Sequence, residues 1–208
     1  MSEERRQAPW PELVATVLLA LATVATAWAS YQAREWTGEQ AQSYSRANAN
    51  RLESTRQTGT ANQLTSIDVA TFVQWVNATA QKDSALATFY EKRFRPEFKP
   101  AFNAWLATRP LVNSSAPPSP FAMPDYRLAA TAEADRLERN AASFSSAAAV
   151  ANAHANDYVA AVVLFASALF FAGISTKLAS RGPRLAILVM GCALFGGTTV
   201  WLATQPMA

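Results

Sequence analysis

The 208-residue sequence predicts an all-α membrane protein, with three transmembrane helices and an elongated extracytoplasmic helical bundle. Three observations carry that expectation. Half of the residues are hydrophobic and only 16% are charged, which is apolar for a soluble domain. The charges are also segregated: Leu13–Ala33, Tyr158–Thr176 and Leu185–Ala208, windows of 21, 19 and 24 residues, contain no Asp, Glu, Lys or Arg. A bilayer core about 30 Å thick takes roughly 20 apolar residues in a helix, so each window is long enough to span. Finally, the 124 residues between the first two windows are balanced, with 13 Lys or Arg against 12 Asp or Glu. They carry only two glycines, Gly38 and Gly59, and are rich in Ala, Gln, Glu and Arg, a composition that favours helix over sheet.

The elements follow in order. Residues 1–12 form a short cytoplasmic N-terminus and Leu13–Ala33 the first span. The run Ala27-Trp28-Ala29-Ser30 satisfies the small-x-small rule for signal peptidase, so cleavage after Ala29 is the alternative. The apolar run is longer than a signal core, and an uncleaved anchor is the favoured reading. Arg34–Asp157 is the extracytoplasmic domain, Tyr158–Thr176 the second span, Lys177–Arg184 a cytoplasmic loop, residues 185–204 the third span and Gln205–Ala208 an outer tail. Orientation comes from Arg5 and Arg6 before the first span and Lys177, Arg181 and Arg184 between the second and third, because basic residues in short loops favour the cytoplasmic side. Trp and Tyr prefer the headgroup level. Trp28, Tyr31, Tyr158 and Trp201 mark the outer ends of the spans and Trp10 the inner end of the first.

Within the outer domain, a helix continuing the first span is expected to run to about Arg56 and to turn at Thr58–Asn62, where Gly59 sits. Ile67 to Phe94 is the strongest amphipathic stretch, with Val69, Phe72, Val73, Val76, Ala80, Ala87, Tyr90 and Phe94 recurring every three or four residues. Pro96 and Pro100 end it, and a short helix carrying Phe98, Phe102, Trp105 and Leu106 follows. Seven of the 11 prolines lie between Pro96 and Pro124, so Pro110–Pro124 reads as an exposed polyproline-like loop. A last helix from Asp125, with Tyr126, Ala130, Leu137, Ala141, Phe144, Ala148, Ala151 and Ala155 on one stripe, enters the second span.

Candidate sites are few. Phe89 to Pro100 interleaves Lys92, Arg93, Arg95 and Lys99 with aromatics including Phe94 and Phe98, a pattern suited to a partner or to anionic lipid. Its plainer reading is a helix end with core aromatics and solvated cations. His154 lies one turn from Asp157, and Glu133, Asp135 and Glu138 alternate with Arg136 and Arg139; both groups read as ordinary surface. Phe72, Trp75, Phe89, Tyr90 and Trp105 are the residues that would line a pocket for a hydrophobic ligand, although such a stripe is more often core. A single cysteine, Cys192, and a single histidine exclude a disulfide within the chain and a Cys- or His-rich metal cluster. No glycine-rich phosphate loop, nucleophile elbow or metal-ligand spacing occurs, so no catalytic, cofactor-binding or metal residue is expected and the chain reads as non-enzymatic. The basic residues alternate with acids, against nucleic-acid binding.

The spans contain no ionisable residue of the kind that marks ion pathways. Their small residues, Ala15, Ala22, Thr26, Ala29, Ala168, Ala172, Gly191, Gly196 and Gly197, suit close helix packing within or between chains. The expected partners are therefore the lipid bilayer and a protein partner or second copy, with the outer domain mediating protein contacts or self-assembly. A small homo-oligomeric channel is the runner-up and a sensor of a hydrophobic ligand the third reading. Pro120-Phe121-Ala122-Met123-Pro124-Asp125-Tyr126, and Asp157-Tyr158-Val159 through Phe170-Phe171-Ala172-Gly173-Ile174, resemble a group of uncharacterised bacterial three-span inner-membrane proteins with an extracytoplasmic helical domain. The resemblance covers about the last 90 residues. It implies a bacterial inner-membrane location and no particular activity.

Overall fold

The computed structural model describes Trp10–Ala208; Arg5 and Arg6, expected to mark the inner end of the first span, lie outside the described residues. The described residues form five α-helices and one short 3-10 turn, with no strand. The helices are α1 (Trp10–Ala80), α2 (Ser84–Arg93), α3 (Lys99–Ala107), α4 (Ala129–Ser175) and α5 (Arg181–Leu202). Three of them, α1, α4 and α5, are long and apolar enough to cross a membrane. The chain divides into two compact units: the residues up to Ser45 with Phe144–Ala208, and Arg46–Ser143.

In the first, apolar unit, segments of α1 and α4 pack with α5 through small side chains. Ala15, Ala22, Ala29, Ala161, Ala168 and Ala172 are all buried. Lipid tails provide no hydrophobic drive for helix association, so close backbone approach and dispersion must hold such helices together, and alanine permits that approach. Gly191 of α5 sits at one such close approach. A Cβ there would lie 3.4 Å from the Ala168 carbonyl oxygen, from Leu18 Cδ2 and from Phe171 Cβ. Larger residues fill the space on either side, with Tyr158, Phe165 and Leu202 beside Ala29 and Ala33, and Leu18 and Leu188 beside Ala15 and Ala172. Both ends are tied. Arg184 of α5 lies 3.3 Å from Glu12 of α1. At the opposite end, the Tyr158 hydroxyl donates to the Pro206 carbonyl at 3.0 Å and the Ala208 N–H to Gln32 Oε1 at 3.0 Å. The starts of α1 and α5 therefore share one end and the C-terminal tail marks the other.

In the second, aromatic unit, the later part of α1 runs antiparallel to the first turns of α4. Ser54 Oγ donates to the Ala134 carbonyl at 3.0 Å, and Ala61 packs with Leu128 and Ala130. The turn expected at Thr58–Asn62 is absent, and α1 passes through it as helix. One glycine in a helix costs only about 1 kcal/mol, and no proline interrupts this stretch. Burial of Ala61 against Leu128 and Ala130 at the start of α4 offsets that cost.

The actual break comes at Gln81–Asp83, inside the stretch expected to be one helix from Ile67 to Phe94. Lys82 takes a left-handed φ of 63°, and the Asp83 carboxylate caps α2 by accepting from the Leu86 N–H at 2.9 Å. Pro110–Pro124 is largely exposed, as expected, but it is not a polyproline segment. It folds into turns and a 3-10 turn, Pro120–Ala122, with Pro120 buried and the Pro117 carbonyl accepting from the Trp105 indole at 2.8 Å. The last helix begins at Ala129, not Asp125. Glu97 accepts from its first N–H at 3.1 Å and so caps it from across the unit.

Candidate functional site

The features that set the aromatic unit apart from a plain helical bundle lie at the end where α1, α2, α3 and the proline-rich loop meet. Phe94, Phe98, Phe102 and Trp105 are buried together, with Phe72, Trp75, Phe121, Met123 and Tyr126 against them. Most of the ring pairs meet edge to face, as between Phe72 and Trp105 at 5.4 Å and Phe94 and Phe102 at 4.7 Å; Phe98 stacks on Phe121 at 5.1 Å. Such pairs add about 0.5–1.5 kcal/mol each beyond their burial. This cluster is why the proline-rich loop is ordered: Phe121 anchors it.

Beneath the rings lies a polar clasp. Asp68 on α1 is fully buried. Its Oδ2 accepts from Arg95 Nη1 at 2.8 Å and from the Tyr126 hydroxyl at 3.0 Å, while Oδ1 has no hydrogen-bond partner. Arg95 also pairs with Glu97, whose other oxygen caps α4. One guanidinium thus joins α1, the α2–α3 link and the start of α4. Burial raises the Asp68 carboxyl above its ordinary range, an effect that the Tyr126 hydrogen bond and the Arg95 charge oppose but do not cancel. Burial also raises Tyr126, and hydrogen bonding to the Asp68 carboxylate holds its proton further. The arrangement of the clasp suits fastening more than chemistry.

Beside the aromatic core an apolar groove of about 440 Å³ is open. Trp75, Val76 and Ala80 of α1 form one wall, Trp105 and Leu106 of α3 the other, and Arg109, Leu111 and Val112 the rim. Leu111 and Val112 are 87% and 83% exposed, so the rim presents apolar side chains to solvent.

The residues singled out in the sequence distribute as follows. Phe94 and Phe98 are core, and Arg95 is committed to the clasp. Arg93 lies over the Phe89 ring at 3.5 Å, and Lys99 Nζ donates to the Lys92 carbonyl at 3.3 Å. The six do not form one contact face. Of the pocket candidates, Trp75 and Trp105 line the groove, Phe72 belongs to the core, and Phe89 and Tyr90 pack on each other. His154 faces Trp36 at 4.7 Å, and its Nδ1 is buried without a hydrogen-bond partner. Glu133 pairs with Arg136 at 2.8 Å on the surface. Among the aromatic anchors, Trp10, Trp28 and Tyr31 are exposed, Trp201 is half-buried and Tyr158 is fully buried, edge to face with Trp28 at 5.8 Å. Asp68, Arg109 and the Leu111–Val112 rim carried no signal at the level of sequence pattern.

No family model, curated protein or solved structure matches the chain.

Proposed function

We propose that the protein is a non-catalytic membrane-anchored interaction module of a bacterial inner membrane. In this reading the N-terminus is cytoplasmic, and Arg34–Asp157 and the C-terminal tail are extracytoplasmic. The basic loop residues Lys177, Arg181 and Arg184 support that orientation, because the Glu12–Arg184 contact puts the loop at the same end as the start of α1. The observation that carries the functional reading is the row Val69, Val73 and Val76, spaced four and three residues apart on one face of α1 and exposed together. A face of this kind is stabilised by a second protein surface, and self-association through it is the simplest form.

The channel reading has weaker support. Ala15, Ala22, Ala29, Ala168, Ala172 and Gly191 are occupied within one chain by helix packing, which leaves little of the small-residue content to line a shared pore.

The test is the mass of the full chain in mild detergent and in nanodiscs, with a paired Val69→Glu, Val73→Glu variant. Both positions are exposed, so the variant is expected to stay folded and to lose association. A wild type that is monomeric and captures no protein through a photocrosslinker at Val73 contradicts the reading. Orientation is checked separately by a reporter fused after Ala208, expected to be active only outside the cytoplasm.

A further inference from the structure

The groove beside Trp75 and Trp105 shares Val76 with the valine row but is not lined by Val69 or Val73, and its reading does not depend on association. Its volume of about 440 Å³ lies at the small end of the range for ligand sites, about 300–1,000 Å³. Its walls are indole, isopropyl, isobutyl and methyl groups, and two of its neutral donors are already used: the Thr79 hydroxyl donates to the Trp75 carbonyl and the Trp105 indole to the Pro117 carbonyl. The charged side chain of the lining is Arg109. The guanidinium is exposed and has no acidic partner among the described residues.

The backbone at Arg109 sharpens the point. It follows the C-cap of α3 with a φ of 53°, the left-handed position that glycine fills most cheaply at a helix end. Its N–H donates to the Leu106 carbonyl, as such a terminus requires, and glycine would make the same bond. An arginine here adds nothing to the turn. It adds a cation at the mouth of an apolar trough.

We propose that this groove binds a single-chain anionic amphiphile taken from the aqueous phase, a long-chain carboxylate, with its hydrocarbon between Trp75, Trp105 and Leu106 and its head group on Arg109. A neutral hydrocarbon leaves the guanidinium without a counter-charge. A cationic amphiphile is repelled by it. The room available matches a single hydrocarbon chain.

The experiment uses the full chain in lipid nanodiscs. Trp75 and Trp105 report occupancy through quenching by 12-bromododecanoate, with empty discs and a Trp75→Phe variant separating groove signal from bilayer partition. Dodecanoate is expected to displace the probe about tenfold more effectively than dodecanol, the contribution of a charge-assisted hydrogen bond. Arg109→Gly is expected to abolish that preference while the thermal midpoint stays level or rises, because glycine relieves the left-handed backbone; Arg109→Lys should retain most of it. Equal displacement by alcohol and carboxylate, quenching that scales only with total lipid, or an Arg109→Gly variant that still prefers the carboxylate would each overturn the proposal. Unchanged binding in the Val69→Glu, Val73→Glu variant is expected, so failure of the association reading and failure of this one are told apart.

Discussion

Asp68→Ala is expected to be among the most damaging single changes in the aromatic unit, and Asp68→Asn one of the mildest for so buried a position. Alanine removes the acceptor of both Arg95 and Tyr126, 2.8 Å and 3.0 Å away, and leaves a void under the rings. Breaking a buried ion pair by deleting one partner costs about 3–5 kcal/mol. Arg95 keeps Glu97 and is 22% exposed, so the low end, about 3 kcal/mol, applies. A unit of this size shifts by about 4–8 °C per kcal/mol, which gives a loss of roughly 12–24 °C in Tm, read by tryptophan fluorescence from Trp75 and Trp105. Asparagine keeps the shape and the acceptor but not the charge. Burial has raised the Asp68 carboxyl above its ordinary 3.8, so the folded state already resists the ionised form. The neutral isostere is therefore expected to cost about 1 kcal/mol or less at pH 7.

The same shift fixes the pH dependence. The fold holds the Asp68 proton more tightly than the unfolded chain does, so this group's contribution is complete below pH 3.8 and is lost as pH rises through its higher folded value. Wild type should gain on Asp68→Asn as pH falls from 7 towards 4, whereas a carboxylate stabilised by its ion pair would lose. Tyr126 stays protonated throughout this range. An asparagine variant as unstable as the alanine one, with a gap that does not change between pH 7 and 4, would refute the reasoning.

Three further outcomes are expected. Gly59→Ala should stabilise the protein by about 1 kcal/mol, measured by thermal unfolding, because the position is mid-helix with nothing within 4 Å of the added Cβ; a turn at this point would give the opposite sign. Gly191→Leu should cost about 1–3 kcal/mol through overpacking against Leu18, Ala168 and Phe171, while Gly197→Leu, in open space, should leave unfolding in detergent unchanged. Phe98→Ala, at a fully buried centre of the ring cluster, should cost about 3–5 kcal/mol and speed amide exchange in the Pro120–Ala122 turn that Phe121 anchors.

What was legible in the sequence divides along a physical line. The three apolar helices declare themselves because an absence of charge over some 20 residues is a one-dimensional property, and the Leu137, Ala141, Ala148, Ala151 stripe of α4 is buried as its spacing implied. Local cost alone misplaces the breaks. Gly59 carries a penalty that one buried alanine offsets, whereas Lys82-Asp83-Ser84 contains a helix N-cap that a window of hydrophobic periodicity passes over, since Val76 and Ala87 keep the stripe going on both sides. Composition alone misreads Pro110–Pro124, where Phe121 and Pro120 are held by rings that come from α1 and α3.

The clasp was out of reach for a stronger reason. Asp68 looks like one more surface acid on an exposed helix, and Arg95 looks like one more cation in a basic run; their partnership spans 27 residues and exists only because the proline-bounded link between α2 and α3 folds back on α1. Once Arg95 is committed there, the basic stretch loses its central charge as a contact surface. Arg109, at the far end of α3, is a cation without an acidic partner among the described residues and lies beside the exposed side chains of Leu111 and Val112.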